Sequence, residues 1–180
     1  MIRAMEFRIR AAQGSDSAAA AAVIESVFHE YGFTWEADGY CADLYDLESH
    51  YLKEGAFWVA ETEAGILATC GLEIFDPLPD SEEGLIRHDG KVRVGGADCS
   101  LERLYVHPDA RRLGLGGALL DTAIAEARRR GRSRMEIWND VLLTKAHAMY
   151  ERWGAVRLGQ RRCDDPDNSL EWGMKLDLVD

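Results

Sequence analysis

The run MEFRIRAA alternates apolar and polar residues with a period of two, which predicts a half-buried β-strand. GAFWVAET and GILATCGLEIF are rich in β-forming residues, and SRMEIWN, AVRLGQRRC and SLEWGMKLDL are predicted to be strands as well. Residues Glu63-Ala64-Gly65 separate the second run from the third, which predicts a β-hairpin. The segment KVRVGGADCSLERLYV predicts a second hairpin, with its turn at Gly95-Gly96.

Three longer segments carry apolar residues every three or four positions, as amphipathic helices do. The first follows Ser15 or Asp16, either of which is a good N-cap. Its apolar positions are Ala19, Val23, Val27 and Tyr31. The second is LGGALLDTAIAEARRRG, with Leu115, Leu119, Ala123 and Ala127 on one face. The third is VLLTKAHAMYERWG, with Leu142, Ala146, Met149, Tyr150 and Trp153 on one side.

The remaining segments complete the predicted order of elements. A short helix is expected from about Leu44 to Leu52, and DPLPDSEEGLIRHDG is expected to be a long loop. The resulting order is β-α-(α)-β-β-β-α-β-α-β-β. Because no linker or repeat interrupts it, we predict one α/β domain over residues 1–180, with helices packed on one mixed sheet.

Composition narrows the classes of partner. The chain has 180 residues and a formal net charge of -11 at pH 7, which argues against nucleic acid and anionic membranes as partners. It has no apolar run of about 18 residues and no signal-peptide core at its N-terminus, so we expect a cytoplasmic protein. Its four cysteines have no metal-ligand spacing, and we expect no metal. Cys41, Cys70 and Cys99 lie among apolar or small neighbours and are expected to be buried.

The stretch RRLGLGG, Arg111 to Gly117, joins a predicted strand to a predicted helix. It is not a dinucleotide fingerprint, because Leu119 stands where the third glycine belongs, and it lacks the Gly-Lys-Ser/Thr of a P-loop. Bare backbone, unpaired N–H groups at a helix start and two arginines still favour a bound anion. A glycine-rich turn with solvated arginines is the alternative.

The segment LERLYVHPDARRLGLGGALL resembles the acyl-CoA-binding segment of the GNAT superfamily of N-acyltransferases. Leu104-Tyr105-Val106, Pro108 and Arg111-x-x-Gly114-x-Gly116 match that pattern in order. A second block, MEIWNDVLLTKAHAMYERWGAVRLG, is similar to the strand and helix that follow in the family. Ala146, Tyr150 and Gly154 fit its motif, whereas Ala155 replaces the phenylalanine that is usual there. The specific resemblance covers about Cys99 to Leu158.

The resemblance implies a mixed, mostly antiparallel sheet that is splayed at a cofactor cleft, with helices on both faces. It also implies acetyl-CoA as co-substrate, with its pyrophosphate on the N–H groups of Arg112 to Gly117 and Arg111 or Arg112 nearby. Leu104 and Val106 would offer main-chain hydrogen bonds to the pantetheine arm. Asn139 would either reach the arm or cap the next helix. The full implied set is Leu104, Tyr105, Val106, Arg111, Arg112, Leu113, Gly114, Leu115, Gly116, Gly117, Asn139 and Ala146.

Acyl transfer to an amine needs a base, a polarised thioester carbonyl and an acid for the leaving thiolate. Tyr150 occupies the family's general-acid position, and packing in the core is its alternative role. Glu102 is the leading candidate base, although relatives often carry a glutamate where this chain has Ser100. Glu102 is also interpretable as an exposed strand residue. His107 and His147 are expected to be solvated.

Tyr31, Trp35, Tyr40, Asp43, Tyr45 and Asp46 combine aromatic rings with carboxylates. That combination suits a cationic amine acceptor, and it equally suits a half-buried surface helix. The predicted function is acetyl transfer from acetyl-CoA to a primary amine of a small molecule or peptide. The alternative is a non-catalytic acyl-CoA-binding or regulatory module of the same fold. A homodimer is compatible with the sequence.

Overall fold

The structure is a computed structural model that describes residues 6–179. Met5, the first residue of the first predicted strand, lies outside the described residues. The helices of the described part are α1 (Ser17–Tyr31), α2 (Leu115–Arg129) and α3 (Thr144–Arg152). The strands there are β1 (Arg8–Ala11), β2 (Ala56–Thr62), β3 (Gly65–Ile74), β4 (Leu85–His88), β5 (Lys91–Val94), β6 (Cys99–Val106), β7 (Arg134–Asp140), β8 (Val156–Arg162) and β9 (Leu170–Asp177).

Seven strands form one sheet in the order β1-β2-β3-β6-β7-β9-β8, and β4 and β5 form a separate hairpin. The pairs β1–β2, β2–β3, β7–β9 and β8–β9 are antiparallel. β6 and β7 are parallel and pair Cys99, Ser100 and Leu101 with Met135, Glu136 and Ile137. The predicted α/β class with a mixed, mostly antiparallel sheet is therefore confirmed.

The chain divides into two compact units. The first runs to Leu72 and resumes over Arg103–Ala123, and the second comprises Glu73–Glu102 and the residues from Ile124 onward. The core of the first unit packs α1 and β2 residues around Ile24, Phe28, Leu44 and Phe57. A cluster of the second unit gathers Leu78, Val94 and Ala97. A single domain over residues 1–180 stays a prediction.

The second predicted hairpin is wrong. β5 pairs with β4 through a turn at Asp89-Gly90, and not with β6 through Gly95-Gly96. Asp-Gly is a strong two-residue hairpin signal, because both residues readily take positive φ, and here Asp89 has φ 48° and Gly90 φ 78°. The segment expected to be a long loop therefore contains β4 and this turn.

Three predicted helix details also differ in the structure. In α1 the buried positions are Ala20, Ala21, Val23, Ile24, Val27 and Phe28, whereas Ala19 is exposed. Asp16 makes no side-chain cap, because its carboxylate accepts hydrogen bonds from Arg10 and from the Gln13 N–H. Leu142 precedes α3 and is 56% exposed, so it does not belong to that helix's packed side.

The predicted short helix over residues 44–52 is two separate turns, a 3₁₀ turn at Ala42–Tyr45 and a π-helical turn at Glu48–Leu52. The predicted burial of Cys41, Cys70 and Cys99 is confirmed. No helix within residues 6–179 is long and apolar enough to cross a membrane.

Candidate active site

The glycine loop of the first unit leaves backbone open at the start of α2. Gly114 has φ 82°, and a Cβ built there would meet no heavy atom within 4 Å. The Ala118 N–H donates to the Gly114 carbonyl at 3.0 Å, so the N–H groups of Leu115 to Gly117 precede the first intrahelical bond. Such N–H groups attract anions, and the space around Gly114 admits one. The loop therefore fits a phosphate group.

The two loop arginines have different surroundings. Arg111 donates through Nη1 to Glu30 Oε1 at 2.7 Å and through Nη2 to the other carboxylate oxygen. Hydrogen bonding to Glu30 raises the pKa of Arg111 above its usual value. Arg112 is exposed and has φ 66°. The charge of Arg111 is thus already balanced by a residue of α1, whereas Arg112 faces solvent.

The C-terminal half of β6 begins at a residue with unusual backbone geometry. Arg103 has φ 49°, a left-handed conformation that costs a non-glycine residue roughly 1–2 kcal/mol. Its carbonyl accepts a hydrogen bond from Thr69 Oγ1 at 2.8 Å. Leu104, Tyr105 and Val106 follow and are half-buried. The Tyr105 ring lies 6.0 Å from that of Phe28 in α1, so Tyr105 packs against the core of the first unit.

Glu102, the candidate base, directly precedes Arg103 in β6. Ser100 Oγ donates to Glu102 Oε1 at 2.5 Å, which confirms that the two side chains share a strand face. Ser100 is buried and Glu102 is half-buried. A carboxylate that accepts this hydrogen bond retains further lone pairs for a water or an amine. The base role of Glu102 stays a prediction.

Among the described residues, two buried side-chain atoms have no hydrogen-bond partner, Asn139 Oδ1 and His147 Nε2, and both belong to the second unit. His147 is 1% exposed, so the expectation that it is solvated is wrong. Burial lowers its pKa most, Arg157 lowers it further, and hydrogen bonding to the Asn139 and Asp140 backbone opposes both.

Tyr150 and Ala146 occupy one face of α3, four residues apart. Tyr150 is 2% exposed, and Ala146 is half-buried. Burial of this kind suits a neutral phenol that gives up a proton only during a reaction, and it also suits a core tyrosine. His107 is part of the turn before the glycine loop, where its Nδ1 accepts from the Asp109 N–H at 3.2 Å.

Comparison with known proteins decides the family. The model of the acetyltransferase (GNAT) family matches residues 21–155, which is well over half of the chain. The chain belongs to the GNAT family. It is 32% identical over 142 residues to the N-acetyltransferase YjgM of Escherichia coli, covering 77% of this chain and 75% of that protein. It is 28% identical over 123 residues to human N-acetyltransferase 8, covering 67% of this chain and 48% of that protein.

Solved structures agree with this fold. An acetyltransferase of the GNAT family from Staphylococcus aureus Mu50 has a TM-score of 0.75 and 20% identity, with 97% of this chain and 100% of that chain covered. YncA of Salmonella typhimurium, solved with its cofactor acetyl-CoA, has a TM-score of 0.67 and 21% identity, with 97% and 95% covered. The protein is therefore an acyl-CoA-dependent N-acetyltransferase. Among residues 6–179 no cluster of His, Cys, Asp and Glu could hold a metal ion.

Sequence reasoning missed one residue of this GNAT protein, Arg103. Its guanidinium donates from Nε to Asp43 Oδ2 at 2.9 Å and from Nη2 to Asp43 Oδ1 at 2.7 Å. Nη2 also donates to the Tyr40 carbonyl at 2.7 Å. Burial is the largest single influence on the pKa of Arg103 and lowers it, but Asp43 and the neighbouring tyrosines together outweigh burial, and the pKa lies well above its usual value. The available signal was an arginine within the apolar strand LERLYV, because a buried arginine requires a partner.

This ion pair changes the interpretation of the aromatic and acidic segment. Asp43 is neutralised by Arg103, whose guanidinium also lies 4.9 Å from the centre of the Tyr40 ring. Asp46 accepts from the Ser49 N–H at 3.1 Å. Trp35 packs edge-on against Phe28. Asp43 and Tyr40 thus already bind a cation, the guanidinium of Arg103. They therefore no longer support the prediction that this segment binds the ammonium group of an acceptor.

Proposed function

We propose that this GNAT enzyme transfers the acetyl group of acetyl-CoA to a primary amine. The observation that carries the proposal is the open glycine loop, where Gly114 leaves room at the unpaired N–H groups that begin α2. A pyrophosphate needs several N–H donors at once, and the backbone from Arg112 to Gly117 supplies them. Exposed Arg112 adds charge, whereas Arg111 is already paired with Glu30.

The pantetheine arm would bind along the C-terminal half of β6. Main-chain groups of Leu104 and Val106 are the proposed partners, in the manner of an added strand. Asn139 and Ala146 of the second unit are further proposed contacts. The unpartnered Oδ1 of Asn139 supports this assignment, because a buried acceptor without a donor costs about 1–3 kcal/mol and an amide N–H would satisfy it.

In the reaction the amine nitrogen forms a bond to the thioester carbonyl carbon, and the carbon–sulfur bond breaks. Glu102, directly or through a water, takes the proton that the amine loses. A main-chain N–H near Val106 donates to the carbonyl oxygen as charge develops there. Tyr150 gives its phenol proton to the sulfur as the carbon–sulfur bond breaks, so that CoA leaves as the free thiol. After the transfer Glu102 releases its proton to solvent and Tyr150 regains one from solvent, which restores both groups.

Calorimetric titration with acetyl-CoA tests the cofactor site through a matched pair of variants. Gly114→Asp places a carboxylate where the phosphate would lie, and we expect binding to become undetectable. Gly131→Asp is the control, because Gly131 has φ 69° with equally open surroundings at the other end of α2. Equal affinity in the two variants, or no binding to the unaltered protein, would contradict the proposal.

Turnover of acetyl-CoA with a panel of amines separates catalysis from binding alone. We expect release of free CoA to accelerate with at least one primary amine and not with its tertiary analogue, which has no proton to lose. If the protein binds acetyl-CoA but no amine accelerates the release of CoA, the proposed cofactor site stands and the proposed acetyl transfer is wrong.

A further inference from the structure

We propose that Arg103 is a positioning residue for the cofactor arm, and that its ion pair with Asp43 fixes the backbone turn directly before Leu104. This inference rests on the proposed function, because it assigns the arm to the main chain of residues 104–106. Arg103 itself need not touch acetyl-CoA. Its side chain points into the first unit, where it is 10% exposed, and its backbone determines where the following residues present their N–H and C=O groups.

The left-handed conformation of Arg103 is unusual for its place in the fold. Four non-glycine residues in the described part have positive φ: Asp89, Arg103, Arg112 and Asn168. Asp89 and Asn168 belong to the residue types that tolerate this region, and Arg112 lies in a loop. Arg103 lies inside a strand, where an extended backbone is the relaxed state. Other contacts must therefore hold it there.

Those contacts hold Arg103 at both its side chain and its carbonyl. The guanidinium forms a two-point ion pair with Asp43 and a third hydrogen bond to the Tyr40 carbonyl. A bidentate pair of this kind fixes orientation as well as distance. On the other side of the residue, Thr69 of β3 donates to the Arg103 carbonyl. Relaxation of φ would break one or both sets of bonds.

Asp43, which anchors the Arg103 guanidinium, is itself held in place. Tyr51 donates its hydroxyl to Asp43 Oδ2 at 2.6 Å, and its ring packs against Phe57 at 5.1 Å. Tyr51 is buried, as is Leu44 next to Asp43. Asp43 therefore cannot follow the arginine if the strand relaxes. The two turns at residues 42–52 act as a support that keeps the β6 backbone bent.

A comparison of alanine with glycine at position 103 tests the proposal. The comparison is made in an Asp43→Asn background, so that no buried charge loses its partner. Without the anchor, alanine is expected to return to the extended state, whereas glycine accepts positive φ. We expect Asp43→Asn/Arg103→Ala to bind acetyl-CoA about tenfold more weakly than Asp43→Asn/Arg103→Gly, and the glycine variant to unfold at the higher temperature.

The control is a second buried arginine–carboxylate pair. Arg93 of β5 donates to Glu136 at 2.7 Å and is not among the residues of positive φ. In a Glu136→Gln background we expect Arg93→Gly to be less stable than Arg93→Ala, because glycine weakens an ordinary strand. If the glycine variant is less stable than the alanine variant at position 103 as well as at position 93, the proposal is overturned. That result is what an ion pair with a purely structural role predicts.

Three further outcomes keep the test decisive. If the Arg103→Ala variant does not fold, Thr69→Val removes only the bond to the Arg103 carbonyl. We then expect weaker acetyl-CoA binding from it, and unchanged affinity overturns the inference. If Gly114→Asp abolishes binding while alanine and glycine at position 103 bind equally, the proposed function stands and the role of Arg103 falls. If the unaltered protein binds no acetyl-CoA, both fall.

Discussion

At the scale of single residues, His147 is a titratable group that the fold removes from solvent. It is buried, its Nε2 has no hydrogen-bond partner, and Arg157 and Glu151 are the charged groups that act on it. Burial lowers its pKa from 6.5, so the folded protein holds it neutral where the unfolded chain begins to protonate it. Protonation therefore favours the unfolded state.

The expected consequence is a stability contribution that is present above pH 6.5 and is lost as the pH falls from there to the lower pKa of the folded state. In His147→Gln, the free energy of unfolding should depend less on pH across this interval. Urea unfolding at several pH values between about 8 and 5 measures the slope. His29→Gln serves as control, because that side chain is 69% exposed. Identical slopes for the unaltered protein and His147→Gln would refute the assignment.

Removal of the Tyr150 hydroxyl group distinguishes a catalytic role of this residue from a packing role. Tyr150→Phe keeps the ring, which is 2% exposed, and removes only the proton donor. We expect kcat to fall about 100-fold, as for a lost general acid, with acetyl-CoA affinity unchanged. Steady-state release of CoA together with calorimetry measures both. Thr122→Val, which also removes a single hydroxyl but lies in no proposed site, should leave kcat unaltered. A normal kcat in Tyr150→Phe would make Tyr150 a packing residue.

At the scale of elements, α1 and the glycine loop are joined by the ion pair between Glu30 and Arg111. Because Glu30 balances the charge of Arg111, it competes with any phosphate that approaches the loop. The pair is half-exposed, so its strength is modest, and exposed pairs of this type contribute about 0–1 kcal/mol.

Glu30→Gln should therefore tighten acetyl-CoA binding by up to about fivefold at low salt, with less effect at high salt. Calorimetric titration at two ionic strengths measures this change. Glu25→Gln is a matched control, since Glu25 lies on the same helix with the same side-chain exposure of 39%. Weaker binding in Glu30→Gln would show instead that the pair orients Arg111 for the phosphate.

At the scale of the whole molecule, the chain passes between its two compact units inside β3, β6 and α2 rather than in linkers. Small single domains usually unfold in one cooperative transition. The single domain predicted for residues 1–180 thus corresponds to an expectation of cooperative unfolding.

Tryptophan fluorescence can check this expectation unit by unit. Trp35 and Trp58 belong to the first unit, and Trp138, Trp153 and Trp172 to the second. A variant with both first-unit tryptophans replaced by phenylalanine reports on the second unit. Its urea midpoint by fluorescence should coincide with the midpoint by far-ultraviolet circular dichroism. Two separated transitions would show that the units are independent domains.

The sequence alone determined the features that depend on neighbouring residues. Runs of β-forming residues predicted the strands of the main sheet, and Glu63-Ala64-Gly65 predicted its first hairpin. The glycine loop and the family motif around Tyr150 were also readable, because a helix start and an (i, i+4) face are set by local spacing. The missed hairpin was local as well: Asp89-Gly90 carried a sufficient signal that the glycines at positions 95 and 96 obscured.

Only the tertiary structure decided which charges meet. Arg103 and Asp43 lie 60 residues apart in the chain, and Arg111 and Glu30 lie 81 apart. No local pattern specifies such a pair, because each partner is chosen by the packing of whole elements. His147 follows the same logic: charged Lys145 nearby in sequence indicates a solvated helix position, whereas the packing of the chain leaves His147 only 1% exposed. Local spacing thus determined where the cofactor loop begins, and long-range packing determined which of its arginines is already neutralised.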